Sequence, residues 1–340
     1  MIFNRQTWFG WPLLGLLLLC VASAVPLRAQ SRDSSSEESR IVTGDANRDT
    51  HYTRLNRNFE SARSDKFTGG RIERAEFEPG QPDIHITVDV PAFRLTLWQN
   101  DREVKTYRIG VGLKAFPIII GQREATEVIW NPTWIPPDSD WVGERKGIRP
   151  GQVIKASDAR NPLGKVKIPL GYSYLIHQAA KPTDLGNLVS HGCVRMLRSD
   201  LYDLAEKIVA ARSAPVTPAQ IARAKRTKRT LVAQLDEPLI VNINYDTQVI
   251  EGGVLHIYYD FYDRHTNILT RLRDELKSSG VDITRVDDAT LEQMLARPKR
   301  RDQMFVVSVE SIEAGRALED GRIVPVIGRA GVKAKRKAAK

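Results

Sequence analysis

The residues best able to do chemistry lie in one short run, Ser190-His191-Gly192-Cys193-Val194-Arg195-Met196, with His177 sixteen positions before the cysteine. A thiol is a strong nucleophile only as a thiolate, and an imidazole within hydrogen-bond reach can take its proton. His177 and His191 are both near enough in sequence to serve. Gly192 lets the backbone approach a substrate closely, and amide N–H groups in such a turn can hold an oxyanion. Arg195 adds positive charge, which favours a thiolate or a carboxylate substrate. His177, His191 and Cys193 are all zinc-ligand types, but no fourth ligand stands at regular spacing, so no metal or other cofactor is expected. His51 falls in a polar leader, His85 and His256 in strands and His265 in a loop, where surface or hydrogen-bonded roles are usual.

These groups need a scaffold. From Ile84 the apolar residues alternate: Ile84, Ile86, Val88 and Val90, then Phe93, Leu95 and Leu97, then Val104, Tyr107, Ile109 and Val111. Alternation with turns at Pro91-Ala92 and Asn100-Asp101 predicts an antiparallel meander. Residues 130–169 are rich in Pro, Gly and Trp and predict a long irregular segment, a cleft wall or lid. A short strand, 172–176, leads to His177. After Cys193 a helix capped at Ser199-Asp200 carries Leu201, Leu204, Ala205, Ile208 and Val209 on one face. A second helix, about 218–235, carries Arg223, Lys225, Arg226, Lys228 and Arg229. Strands follow near 239–243, 247–250 and 254–257, then two helices near 269–278 and 289–296 and strands near 306–309 and 323–327.

The chain has 340 residues, 51 basic and 41 acidic side chains and a net charge of +10. That balance attracts polyanions without choosing among nucleic acid, anionic lipid and acidic wall polymer. Arg5, the apolar run from Trp8 to Val25 and the small residues Ala22-Ser23-Ala24 match a secretory signal, with cleavage after Ala24 or Ala29. A retained membrane anchor is the alternative. Export to the periplasm, with wall or membrane association, is expected, and it argues against a nucleic-acid partner. Membrane contact is expected only through the signal segment if it stays uncleaved. The cysteines are Cys20 and Cys193, and Cys20 leaves with the signal. A single mature thiol forms no internal disulfide, which suggests a reactive role; packing is the alternative.

The run Ser-His-Gly-Cys-Val-Arg, with Ile176-His177 upstream and Asn161-Pro162-Leu163-Gly164 between the opening strands and the motif, resembles the L,D-transpeptidase (YkuD-type) family. The resemblance implies a mainly β fold: an L,D-transpeptidase-like β-sandwich with flanking helices, to which this chain adds a small α/β C-terminal extension. The expected divisions are a signal peptide at 1–29, a polar leader at 30–82, the catalytic domain at 83–260 with a basic helical insertion at about 212–236, an extension at 261–328 and a basic tail at 329–340. The resemblance further implies an acyl-enzyme on Cys193, with His177 as general base, acting on peptidoglycan stem peptides at the bond after meso-diaminopimelate. His191 and Gly192 match positions that shape the oxyanion site, and Ser190 and Arg195 match positions that orient the loop or contact substrate. An amine acceptor gives a cross-link or anchors a protein to the wall. Water gives trimming, and a silent wall-binding protein is the reading outside enzymes. Two departures stand out. Gln178 occupies the place of a Gly or Ser whose carbonyl orients the histidine, and the family's Thr-Pro-x-Gly turn becomes Phe116-Pro117-Ile118-Ile119-Ile120-Gly121, an apolar run where a cleft-lining turn is expected.

Overall fold

In the computed structural model, residues 83–326 are described apart from 213 and 285. The signal segment, the polar leader and the basic tail lie outside the described residues. Among the described residues, no helix is long and apolar enough to cross a membrane.

The alternation at Ile84 produces the expected meander. Strands β1 (Ile84–Asp89), β2 (Arg94–Gln99) and β3 (Arg102–Arg108) pair antiparallel. Asn100 and Asp101 both take positive φ, 51° and 58°, as a tight hairpin of the right twist requires. Next come β4 (Val111–Gly112), β5 (Gly121–Trp130), a one-turn helix α1 (Asp140–Gly143), β6 (Val166–Pro169), β7 (Leu175–Gln178), β8 (Leu188–Ser190) and β9 (Val194–Met196). Helices α2 (Arg198–Ala211) and α3 (Pro218–Arg226) lead to the long strand β10 (Leu231–Asn244).

One sheet of eight strands runs in the order β3-β2-β1-β10-β5-β6-β7-β9. Its two ends meet. Gly110, just past β3, exchanges hydrogen bonds with Arg195 of β9 at 2.8 and 2.9 Å. The sheet is thus folded over one core, in which Leu95 and Leu97 from one end join Ile176 and Val194 from the other. Helix α2 closes this core with Leu201, Leu204, Ala205, Ile208 and Val209, all buried. Each such Leu, Ile or Val contributes about 1.5–3 kcal/mol of burial.

Several expectations need correction. Helix α2 starts at Arg198, with Leu197 as its cap and no side-chain capping bond. The basic helix is short. Thr217 and Gln220 form a reciprocal capping box at its start, but it ends at Arg226, not near 235. From Leu231 the burial alternates, and the chain gains two partners as a strand, β1 on one side and β5 on the other. That pairing outweighs helix propensity. Pro238, which has no N–H for a ladder, sits at the register break between Gln234 and Leu239. Strand β5 is not among those the pattern predicts, because Gln122, Arg123, Glu124, Thr126 and Glu127 mask it.

The division at 260 also shifts. Strands β11 (Gln248–Glu251) and β12 (Val254–Tyr258) do not join the large sheet. They pair with β13 (Gln303–Ser308) and β14 (Arg322–Pro325) in a separate four-stranded antiparallel sheet. Helices α4 (Leu269–Ser278), α5 (Asp288–Leu295), α6 (Val309–Glu313) and α7 (Ala317–Asp320) cover it. Leu255, Ile257, Leu272, Leu276, Leu291, Met294, Phe305 and Ile312 form its own core. The change of sheet therefore falls between Asn244 and Gln248, although Phe261 still packs into the first core. Arg94 of β2 binds both oxygens of Glu251 and ties the two sheets together.

Candidate active site

Two short strands place the chemistry. Strands β7 and β9 run parallel with Ile176 opposite Val194, His177 opposite Arg195 and Gln178 opposite Met196. Side chains alternate along a strand, and residues in register share a face. Ile176, Val194 and Met196 point into the core and are fully buried. His177 and Arg195 therefore occupy the other face. Cys193, two residues before Arg195 and just before the strand begins, belongs to that face too.

The turn into Cys193 is held by β4 and β8, a separate parallel pair with Val111 opposite Leu188 and Gly112 opposite Ser190. Leu113 N donates to Ser190 O at 2.8 Å. Ser190 is fully buried, and its hydroxyl donates to Cys193 O at 2.6 Å, which closes the turn from within. Gly192 has φ of 102°, and a Cβ there would sit 2.5 Å from the Tyr174 ring. Only glycine satisfies both constraints.

The electrostatics give a neutral resting pair. Burial pushes the Cys193 thiol up from 9.0, against the pull of the Leu175 amide and of Arg195. Burial, joined by Arg195, holds His177 well below 6.5. The carbonyls of Leu163 and Gln178 pull the other way, yet Nδ1 of this 2% exposed ring has no hydrogen-bond partner. The half-buried thiol faces the Ser173 carbonyl at 4.0 Å. A neutral imidazole is the form able to accept a proton, so His177 has the state a general base needs. Arg195 is also mostly buried. Its Nε has no partner, and its Nη1 reaches Gln178 O only at 3.5 Å. Such a cation, with no ion pair among the described residues, suits an anionic group of a substrate. Among the described residues no group of three His, Cys, Asp or Glu side chains could hold a metal ion.

The irregular segment covers this face. Trp134, Val142, Ile148, Ile154 and Leu163 form a small core of their own, with Trp141 and Leu175 packed against it. Trp134 and Ile154 exchange backbone hydrogen bonds at 2.8 Å. Asn161 anchors the segment's end, donating to Pro132 O at 2.9 Å. Gln178 ties that end to β7. Its N–H donates to Leu163 O at 3.2 Å, and its Oε1 accepts from Lys165 N at 3.1 Å. A Cβ on Gly164 would collide with the Gln178 side chain. The glutamine thus fastens the cover beside His177.

His191 differs from expectation in part. Its main chain stays in the turn into Cys193, but its exposed ring stacks on Trp141 at 4.2 Å and 10° and meets the edge of Phe116 at 4.7 Å. The altered turn is correspondingly split, with Ile118 in the core and Phe116 beside His191. Sequence reasoning placed Phe116 in the altered cleft-lining turn but did not single out Trp141 or Tyr174. The Trp-rich composition of the cover was the one available signal.

Residues 83–225 match the YkuD family model, the L,D-transpeptidase catalytic domain. The chain is 30% identical over 122 residues to YbiS, a probable L,D-transpeptidase of Escherichia coli (strain K12), covering 32% of this chain and 40% of that protein. It is 31% identical over 140 residues to YkuD, a putative L,D-transpeptidase of Bacillus subtilis (strain 168), covering 37% and 65%. The chain thus spans less than two thirds of either relative. Among solved structures, the catalytic domain of an E. faecium L,D-transpeptidase aligns with TM-score 0.31 at 15% identity, covering 48% of this chain and 97% of that one.

Proposed function

We propose that this chain is an exported L,D-transpeptidase that acts on peptidoglycan stem peptides through an acyl-enzyme on Cys193. The observation that carries the reading is the placing of Cys193, His177 and Arg195 on one covered face of β7 and β9, opposite the core. In the proposed reaction Cys193 Sγ attacks the carbonyl after meso-diaminopimelate and passes its proton to His177. The amides of the Gly192 turn bind the resulting oxyanion. Collapse breaks the amide bond, and His177 returns the proton to the departing D-alanine amine. A thioester remains. An acceptor amine, from a second stem peptide or a wall-anchored protein, attacks it, and Cys193 leaves as thiol with its proton restored. Arg195, whose Nε has no hydrogen-bond partner among the described residues, meets a substrate carboxylate. Periplasmic location rests on the signal-like N-terminus.

The test is acylation by a carbapenem. The intact chain should gain the drug's mass at Cys193, and Cys193→Ala should gain none. Equal uptake by both proteins removes Cys193 from the mechanism. Incubation with defined muropeptides separates acceptors: cross-linked products support the transpeptidase, and shortened peptides alone point to a hydrolase.

A further inference from the structure

The segment beyond the large sheet takes no part in that chemistry, yet it grips the support of the nucleophile turn from two sides. The support is the β4–β8 pair, whose second strand ends at Ser190 and runs directly into His191-Gly192-Cys193. On β4, Gly112 O accepts from Tyr262 Oη at 2.8 Å, and Lys114 pairs with Asp263. On β8's side, Arg301 Nη2 donates to Asn187 Oδ1 at 2.9 Å. Asn187 O in turn accepts from Val111 N at 3.1 Å, so the two grips meet across one small ladder.

Tyr262 is itself held in place. Its ring stacks on Tyr245 at 5.3 Å and meets Phe261 edge-on at 4.7 Å. Its N–H donates to Tyr245 Oη at 2.9 Å. Asp260 accepts from Tyr245 Oη and from the amides of Arg264 and Thr266, at 2.9 to 3.1 Å. Phe261 packs on Phe93 at 5.3 Å, in the core of the large sheet. The tyrosine hydroxyl therefore reaches Gly112 from a fixed loop. Gly112 transmits the contact, because a Cβ there would lie 2.2 Å from Phe116 O and 3.1 Å from Gly192 Cα. These are backbone-to-backbone approaches with no flexible side chain to absorb a shift.

We propose that Tyr262 and Arg301, from the segment beyond the large sheet, clamp the nucleophile turn as positioning residues for attack by Cys193. The proposal rests on the thiol acyl-transfer reading above. In the full-length chain, Tyr262→Phe removes only the hydroxyl and Arg301→Ala removes the opposite grip. The readouts are the maximal rate of acylation by a carbapenem, the concentration giving half that rate, and the melting temperature. Tyr262→Phe should slow the maximal rate about tenfold, since small displacements of reacting groups are expensive. Arg301→Ala, an exposed contact, should slow it about threefold, and Arg301→Lys should recover most of that loss. Half-saturation should hardly move, and melting should shift by less than about 4 °C. Lys299→Ala, in the same segment but outside the clamp, should leave the rate unchanged. A wild-type maximal rate in the Tyr262→Phe/Arg301→Ala double variant overturns the clamp. So does a rate loss that merely tracks loss of folded protein. Failure of the unaltered chain to acylate would instead sink the thiol reading.

Discussion

Strands β7 and β9 carry two opposite faces built from alternate residues of the same two segments. On one face Ile176, Val194 and Met196 are wholly excluded from solvent and packed among apolar neighbours. On the other, His177 keeps Nδ1 without a partner and Arg195 keeps Nε without one. A buried polar atom left so costs about 1–3 kcal/mol. The core face is fully buried, and the site face leaves buried polar atoms without partners among the described residues. The difference is the usual mark of a surface whose polar groups are reserved for a substrate.

Changes to each face should therefore read out differently. The largest effect belongs to Gly192→Ala. It meets both a positive φ and the Tyr174 ring, and acylation should fall at least about a hundredfold, because the nucleophile itself is displaced. Kinetics of adduct formation by mass spectrometry would show it; a rate within a few-fold of the parent would mean the turn tolerates the shift. On the core face, Ile176→Ala should lower unfolding free energy by about 2–5 kcal/mol. The folded fraction should acylate at nearly the parent rate, as urea titration alongside the kinetics would reveal.

The smallest effect is in pH. His177 is held well below 6.5 in the folded chain, so folding favours its neutral form. The stability tied to that form is complete above pH 6.5 and is lost as pH falls from there toward the folded value, by up to about 1.4 kcal/mol per unit. His191 is lowered too, so urea midpoints of His177→Gln and His191→Gln should be compared across that range. The His177 variant should lose more of the slope, and equal slopes would contradict the assignment. Acylation in the parent should fall only below pH 6.5 and stay level up to 9.0, since the thiol is raised from that value.

Much of the fold was legible. The meander from Ile84 to Arg108, the buried stripe of α2 and the span of α4 all follow from period-two or period-3.6 patterns. What failed has a common cause. Strand β5 and the first half of β10 are polar enough to hide, and their state is set by neighbours far away in sequence. Helix propensity in the basic stretch lost to the hydrogen bonds of a central strand. In the same way β11 and β12 have ordinary strand patterns, and nothing local tells which sheet they enter.

By itself the sequence determined the reactive set: a thiol in a glycine turn, two histidines and an arginine at fixed spacing, with an alternating scaffold to hold them. Only the tertiary structure decided how they divide. It buried His177 on β7 beside the strand that follows Cys193 and turned His191 outward onto Trp141. It also made Gln178 the fastening of the cover and brought Tyr262 to Gly112 from 150 residues away. Spacing along the chain limits which residues can meet, but desolvation and contact depend on what packs around them, and those neighbours come from distant segments.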